Sequence, residues 1–424
     1  MTEFKKIILV LTALAASQGA FCQTDLERCI QLAYENYPQI EEYNLIEESK
    51  KYDLDNAAMA WLPQLSLSGK ASWQSVVVEM PFEIQGYEFN IPHDQYGVSA
   101  DISQQIWDGG ASAVQRKLIE AGADVKSRQL EVNLYSIRSR VQNIYLGIIL
   151  IDKQLELNDL LRANLVRSLD EVAALVGNGV AYESDKDQIR VNVLSCDQQR
   201  SALESDRRAY VKMLSMLTGT ELQDNEFIDP DSSLSSVSYG EIARPEIALY
   251  DAQAKQLQIQ KKQLSTALSP RLNLNVQAGY GRPGLNMLNG KFDSYLTAGL
   301  KLQWNFGALY TIHNDRSKSD AEAARVDLAR KSFILNTSLE AEQKRNEIEK
   351  ALDVLERDGE IVKLRQSIRE TAEYQYKQGI IKMNDYLNIL DDEFEARLNY
   401  NIHNVQYTMA VLDLQNTVGT ENIR

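Results

Sequence analysis

Side chains that could carry chemistry are few and scattered in this 424-residue chain. The three histidines, His93, His313 and His403, fall on a predicted loop edge and on two predicted helices. None stands at the short spacing that lets several ligands reach one metal ion. Gly281-Arg282-Pro283-Gly284 has the composition of a phosphate cradle but lies in a predicted hairpin loop, not between a parallel strand and a helix. No nucleotide-binding loop is present, and no enzyme activity, metal or cofactor is expected. Cys29 and Cys196 sit in amphipathic helical patterns, which favours two buried thiols over a disulfide framework. What does recur is a glycine followed six residues later by an acid, as Gly179 with Asp185 and Gly379 with Asp385. Glycine tolerates the left-handed backbone of a helix-to-helix reversal. An acid in the first turn of the returning helix is favoured by the helix dipole, whatever else it does.

The balance of charge narrows the partners. A formal net charge of −15 argues against nucleic acid, because phosphates would not be neutralised. It suits a solvated surface or a cation-friendly water channel. The first residues, MTEFKKIILVLTALAASQGAFCQ, read as a secretory signal peptide over 1–22, with Lys5 and Lys6 ahead of an apolar run that is too short to span a membrane. Lipidation at Cys22 is the alternative, and the bulky Phe21 before it speaks against that. No later segment reaches the roughly 18 consecutive apolar residues of a membrane helix. If the exported chain crosses a membrane, it does so as strands.

The elements that must hold the two Gly–acid pairs are themselves doubled. YPQIEEY around Pro38 is echoed by RPEIALY around Pro245, and WLPQLSL at 61–67 by LSPRLNL at 268–274. Residues 177–220 align without a gap on 377–420, ending in Gly-Thr both times, which predicts an internal duplication of a large unit. After each proline the period changes from helical to two. Leu65, Leu67, Ala71 and Trp73 alternate with polar residues, as do Tyr96, Val98, Ala100, Ile102 and Ile106. Leu272, Leu274, Val276, Ala278 and Tyr280 do the same, and so do Leu296, Ala298, Leu300, Leu302, Trp304 and Phe306. A half-buried soluble sheet would give this alternation too. Strands of roughly ten residues match a tilted bilayer crossing, and Trp73, Tyr96, Trp107, Tyr280, Tyr295 and Trp304 gather near strand ends as interfacial girdles do. Four strands cannot close a barrel, and lipid tolerates no open edge, so an oligomer is expected.

Long helices fill the rest. Ile137, Val141, Ile144, Ile148, Ile151 and Leu155 follow alternating steps of four and three, a heptad seam. Leu387, Leu390, Phe394, Leu398, Ile402, Val405, Met409 and Leu412 form a second stripe, while 321–376 is more charged and its seam weaker. A helix over 110–176 would rise roughly 100 Å, and helices over 38–61 and 181–219 roughly 36 and 58 Å, so two short helices nearly match one long one. The expected organisation is periplasmic helices at 23–61, a membrane hairpin at 62–107, and a helical hairpin at 108–220 with its tip near 177–180. A linker at 221–243 precedes a helix at 244–269, a second membrane hairpin at 270–306, and a helical hairpin at 307–424 with its tip near 377–381.

With these motifs in order, the chain resembles the TolC-type outer-membrane efflux family over nearly its whole length after residue 22. YPQI, WLPQLSL, QQIWDGG, RPEI, LSPRLNL and the two Gly-turn blocks carry the resemblance. It implies a mixed α and β fold: a homotrimeric 12-stranded outer-membrane β-barrel, four strands per chain, continuous with a long antiparallel coiled-coil α-helical barrel in the periplasm. It implies a periplasmic adaptor, an inner-membrane transporter and outer-membrane lipid as partners, and a duct that passes small molecules. A duct for protein secretion is the alternative, and a structural or adhesive coiled-coil surface protein is the rival from another class. The resemblance further implies that 221–243 belongs to a belt around the tunnel, where sequence alone suggests a surface linker. It places Asp185 and Asp385 at the narrow periplasmic end, with Gly179 and Gly379 making the tip turns and Tyr376 matching a Tyr that holds a closed tip. This chain departs from the family pattern at Gln188 and Asn388, where a second acid often stands, and at Ile381, near which a closing Arg would fall. Apolar contacts of Ile380, Ile381 and Met383 are therefore expected to contribute to closure.

Overall fold

The fold is seen in a computed structural model, which describes residues 25–77, 92–222, 227–230, 242–287 and 290–419. The signal-peptide segment, Cys22 and most of the 221–243 linker lie outside these residues. In chain order the elements are α1 (Leu26–Asn36), α2 (Glu42–Met59), β1 (Gln64–Trp73), β2 (Asp94–Trp107), α3 (Ala111–Gly177) and α4 (Glu183–Thr218). Then follow α5 (Pro245–Thr266), β3 (Arg271–Arg282), β4 (Asp293–Gln303), α6 (Ile312–Lys377) and α7 (Met383–Val418). From the helix before each strand pair onward the order recurs, with α3 and α6 at 67 and 66 residues and α4 and α7 at 36 each, while α1 has no counterpart among the described residues. The described residues fall into two compact units. One is drawn from within 1–42, 130–247 and 331–424, the other from Tyr43–Gln129 and Ala248–Arg330.

The second unit holds the sheet, antiparallel throughout in the order β1-β2-β3-β4. Its register carries the alternation of each strand across to its neighbours. Leu65 pairs with Ile102, which pairs with Val276, which pairs with Ala298. Leu67, Ala100, Ala278 and Leu296 form the next apolar row, while Ser66, Asp101, Gln277 and Thr297 lie between them on the opposite face. Side chains alternate faces with period two, so a single register makes one face continuously apolar. Nothing among the described residues covers that face: Leu67 is 77% exposed and Leu296 72%. Among the described residues, then, neither helix nor loop half-buries this face. The polar face is knit by hydrogen bonds, with the Ser68 and Ser99 hydroxyls 2.8 Å apart and Ser99 donating to Asp101 at 3.0 Å. Tyr295 corrects the expected girdle. It pairs with Gly279 on the polar face, and its ring lies where a Gly279 side chain would be. An aromatic folded over a strand glycine is a packing device of the sheet, not a lipid anchor.

The strand-to-helix joint after β2 explains the WDGG motif. Buried Asp108 accepts from the amides of Gly110 at 2.8 Å and Ser112 at 2.5 Å, satisfying the first turn of α3. Burial works to raise its carboxyl, but the hydrogen bond from the Ser112 side chain and those from the backbone amides hold it below the usual range. Gly109 has a left-handed φ of 69°, and a Cβ there would overlap the Ser269 side chain. Gly109→Ala therefore meets both strain and a clash, and is expected to destabilise the protein by about 2 kcal/mol or more. Thermal unfolding checks this, with Gly110→Ala as the contrast, because a Cβ at Gly110 meets open space and only its φ of 88° is strained.

In the first unit the seam of α3 is buried as its spacing predicts, through Ile137, Val141, Ile144, Ile148 and Ile151. The same step of three after Leu155 falls on Asn158, which is completely buried. A polar residue in a seam costs stability and is the usual device for specifying register. Both thiols are free and buried, as their helical pattern indicates, and burial pushes Cys29 up to about 12. The two Gly-Thr ends are also explained. Gly219, with φ 67°, packs against Asn36, whose amide donates to the Leu217 carbonyl at 3.1 Å and closes the end of α4. Gly419 packs in the same way against the backbone of Ala243, whose N–H donates to Val418 at 2.8 Å.

Candidate functional site

Both Gly–acid pairs lie in the first unit, each at a reversal between a long helix and its returning partner. At the first reversal Gly179 has φ 73°, its amide donates to Val176 O at 2.9 Å, and the Val180 amide donates to Leu175 O at 2.9 Å. At the second, Gly379 has φ 71°, with Gly379 N to Tyr376 O and Ile380 N to Gln375 O both 2.9 Å. These paired bonds satisfy the last carbonyls of a helix and need a residue with positive φ, which glycine supplies without a Cβ penalty. Gly179 and Gly379 are thus the positive-φ residues of the two reversals.

The chain then restarts from an extended N-cap, Tyr182 or Lys382. Asp185 and Asp385 are the third residues of α4 and α7, and each turns one carboxylate oxygen back to its N-cap amide at 3.4 Å. Both acids therefore help to start a helix. Their surroundings differ, because Asp385 is exposed and Asp185 half-buried. Asp185 lies close enough to Tyr376 to contribute to that hydroxyl's raised pKa, whose main cause is burial.

Around the reversals sits one apolar cluster, including Leu165, Val172, Ile189, Met383, Tyr386, Leu387 and Leu390. Tyr376 stacks on Tyr386 with ring centroids 5.5 Å apart and planes 14° from parallel. Ile381 packs against the cluster and Met383 is inside it. These two side chains are thus engaged with the cluster of their own subunit. Ile380 remains, 68% exposed, and so does its counterpart Val180 at 73%, which the sequence reading missed. The signal was available, since both follow the turn glycine directly.

A charged network beside the cluster was also missed. Glu393 of α7 is only 6% exposed and is held from two sides. Arg369 of α6 donates to it at 2.9 Å, and Arg397 at 2.8 Å. Arg369 also reaches Glu373 at 3.0 Å, and Lys377 donates to Glu373 at 2.9 Å. The Lys377 hydrogen bond is the largest cause that lowers the Glu373 carboxyl below its ordinary value. The pairs four residues apart could be read from sequence. Arg369 to Glu393 could not, since it depends on how α6 and α7 are registered. Arg369→Met leaves a buried carboxylate with one partner and is expected to cost about 2–3 kcal/mol. Urea unfolding measures it, and the exposed, within-helix pair Arg357–Asp353 provides the comparison, where Arg357→Met costs about 0.5 kcal/mol or less.

Among the described residues no group of three or more His, Cys, Asp or Glu is placed to hold a metal ion, and no helix is long and apolar enough to cross a membrane. His403 faces Asp358 at 2.5 Å, and the Nδ1 of His93 lies 2.8 Å from the Gln74 carbonyl oxygen.

Residues 29–220 match the family described as Outer membrane efflux protein. No curated protein matches the chain. Among solved structures, the Campylobacter jejuni CmeC outer membrane channel is similar at 15% identity and a TM-score of 0.62, covering 94% of this chain and 86% of its own. The outer-membrane channel OprN is similar at 13% identity and a TM-score of 0.67, covering 93% and 89%. The outer membrane protein VceC from Vibrio cholerae is similar at 12% identity and a TM-score of 0.63, covering 93% and 96%. At such identities these likenesses speak to fold. Residues 29–220 thus carry the pattern of the outer membrane efflux protein family, and the chain shares its fold with outer-membrane channels across more than nine-tenths of its length.

Proposed function

We propose that this protein is the outer-membrane exit duct of a tripartite efflux system, passing small molecules to the exterior. The observation that carries the reading is the sheet. One face is continuously apolar and uncovered, the other is polar and hydrogen-bonded, and β1 and β4 have free outer edges among the described residues. Lipid on the first face and water on the second is the arrangement of a barrel wall. Free edges are not tolerated in lipid, so three copies pair β4 of one with β1 of the next to make 12 strands. The long helical hairpins then form the periplasmic tunnel, as a duplicated unit would build it. No nucleotide-binding loop appears in the sequence. An inner-membrane transporter therefore supplies energy and a periplasmic adaptor joins the two.

At the tunnel's inner end, Asp185 and Asp385 from three copies make a ring of negative charge that draws cations to the entrance. Ile380 and Val180, exposed beside the turn glycines, are the apolar side chains left free to meet across it. Tyr376 and Ile381 support the tip from within each subunit. A coiled-coil surface protein would have no use for an uncovered apolar sheet face. Fractionation and electrophoresis test the assignment: heat-modifiable trimers in the outer membrane are expected, and a soluble periplasmic rod would overturn it.

A further inference from the structure

The last turns of α4 and α7 occupy matching places in the aligned blocks 177–220 and 377–420, yet one side chain is handled differently in the two. Met216 on α4 is 72% exposed, whereas its match on α7, Asn416, is only 6% exposed. The backbone carbonyl is capped by side chains in both places. Asn36 donates to Met216 O at 3.3 Å, while the Tyr135 hydroxyl and the Arg244 guanidinium donate to Asn416 O at 2.8 and 3.3 Å. The Asn416 side chain meets α3, where its amide donates to the Ser139 hydroxyl at 3.3 Å and to Gln142 Oε1. Half of each amide is left over. Asn416 Oδ1 and Gln142 Nε2 are buried and have no hydrogen-bond partner among the described residues. Arg138 lies one turn before Gln142 on the same face of α3 and is also buried. Its Nη2 donates to Glu27 at 2.5 Å, but its Nε is unpaired as well. Buried polar atoms without partners are rare, because each forfeits its hydration.

We propose that these atoms bind an ordered water molecule that bridges Gln142 Nε2 to Asn416 Oδ1, with Arg138 Nε as a further donor. The open groups select the ligand. One is a donor and the other an acceptor, carried by two amides already joined through one hydrogen bond. A water accepts from the first and donates to the second. An anion would be repelled by Oδ1, and a metal ion by the Nε2 hydrogens and the Arg138 guanidinium. Room and access are present. Ser139, Arg244 and Asn416 help to line a cavity of about 350 Å3 among α3, α6 and α7, far more than one water needs. The bridge completes a polar clasp between α3 and the end of α7, where exposed Met216 gives α4 no counterpart. It concerns packing within one subunit and is independent of the outer-membrane reading.

Crystal structures of the full-length protein and of its Gln142→Met variant, at a resolution that shows ordered solvent, test the bridge. In the wild type a solvent peak is expected within roughly 2.7–3.2 Å of both Gln142 Nε2 and Asn416 Oδ1. In Gln142→Met, which keeps the side-chain length but removes the donor, that peak is expected to be lost while Asn416 keeps its bond to Ser139. Amides paired directly through both halves, with no peak beside them, would overturn the proposal. An anomalous signal at the site after soaking in bromide or rubidium would do the same, making the ligand an ion. A peak that persists unchanged in Gln142→Met would remove Gln142 as a ligand and with it the bridge. If the variant does not fold, the wild-type map decides alone, by the presence or absence of the peak.

Discussion

Leu67→Lys is expected to abolish most of the heat-resistant trimer, while Ser68→Lys, one residue along, leaves it largely intact. The two residues are neighbours on β1 with opposite orientations. Leu67 lies in the apolar row with Ala100, Ala278 and Leu296, near mid-strand, and is 77% exposed within the chain. A lysine on the lipid face near the bilayer midplane costs about 2–4 kcal/mol, and a proposed trimer bears it three times. Ser68 lies on the polar face opposite Ser99, where an ammonium stays in water and only one hydroxyl contact is lost, about 0.5–1 kcal/mol. The experiment also separates environments. If the apolar face were exposed to water, Leu67→Lys would relieve an exposed apolar patch and increase the yield of folded protein. Quantifying trimer in outer-membrane fractions by unheated gel electrophoresis reads the difference. Equal tolerance at 67 and 68 would remove the lipid assignment.

The second large effect is on conduction. In a planar bilayer, Asp385→Asn is expected to lower cation over anion preference and weaken block by multivalent cations, with Asp185→Asn acting in the same direction but less. The order follows from exposure: Asp385 is open to solvent, whereas Asp185 is half-buried beside Tyr376. Neither change should prevent assembly. Each carboxylate returns only one long hydrogen bond to its N-cap amide, at 3.4 Å, and an asparagine keeps an acceptor there, so the loss is about 0.5 kcal/mol. Unchanged reversal potential in a salt gradient, with unchanged block, would leave the acids with helix initiation as their only role. That dual possibility is inherent in the position, since the third residue of a helix favours an acid with or without a pore.

Much of this architecture was legible because it rests on short-range periodicity. Alternation at 65–73 and 272–280 specifies strands, and steps of four and three from Ile137 specify a seam, whatever surrounds them. Gly179 and Gly379 stand where a positive φ is needed, and the structure has 73° and 71° there. The charged segment 321–376 was harder to read. It forms part of one unbroken 66-residue helix whose Leu328, Leu335, Leu339 and Leu364 stay exposed in the subunit. A helix with no single buried face leaves a weak seam in its sequence.

What only the tertiary structure decided are the contacts between residues distant in sequence. Ile381 and Met383 look as free as Ile380 in the string, yet two of the three pack into the tip cluster and one does not. Tyr295 reads as a girdle aromatic until its pairing with Gly279 turns it to the polar face. Glu393 is an ordinary helical acid until α6 brings Arg369 to it. The sequence alone determined the strands and the reversals, because each depends on backbone preference and local period. The register between strands and between helices decided which side chains remain uncovered, because exposure is set by the partner element. Those uncovered residues, Leu67 and Leu296 on the sheet and Ile380 and Val180 at the tips, are the ones through which a single chain would meet lipid and its own copies.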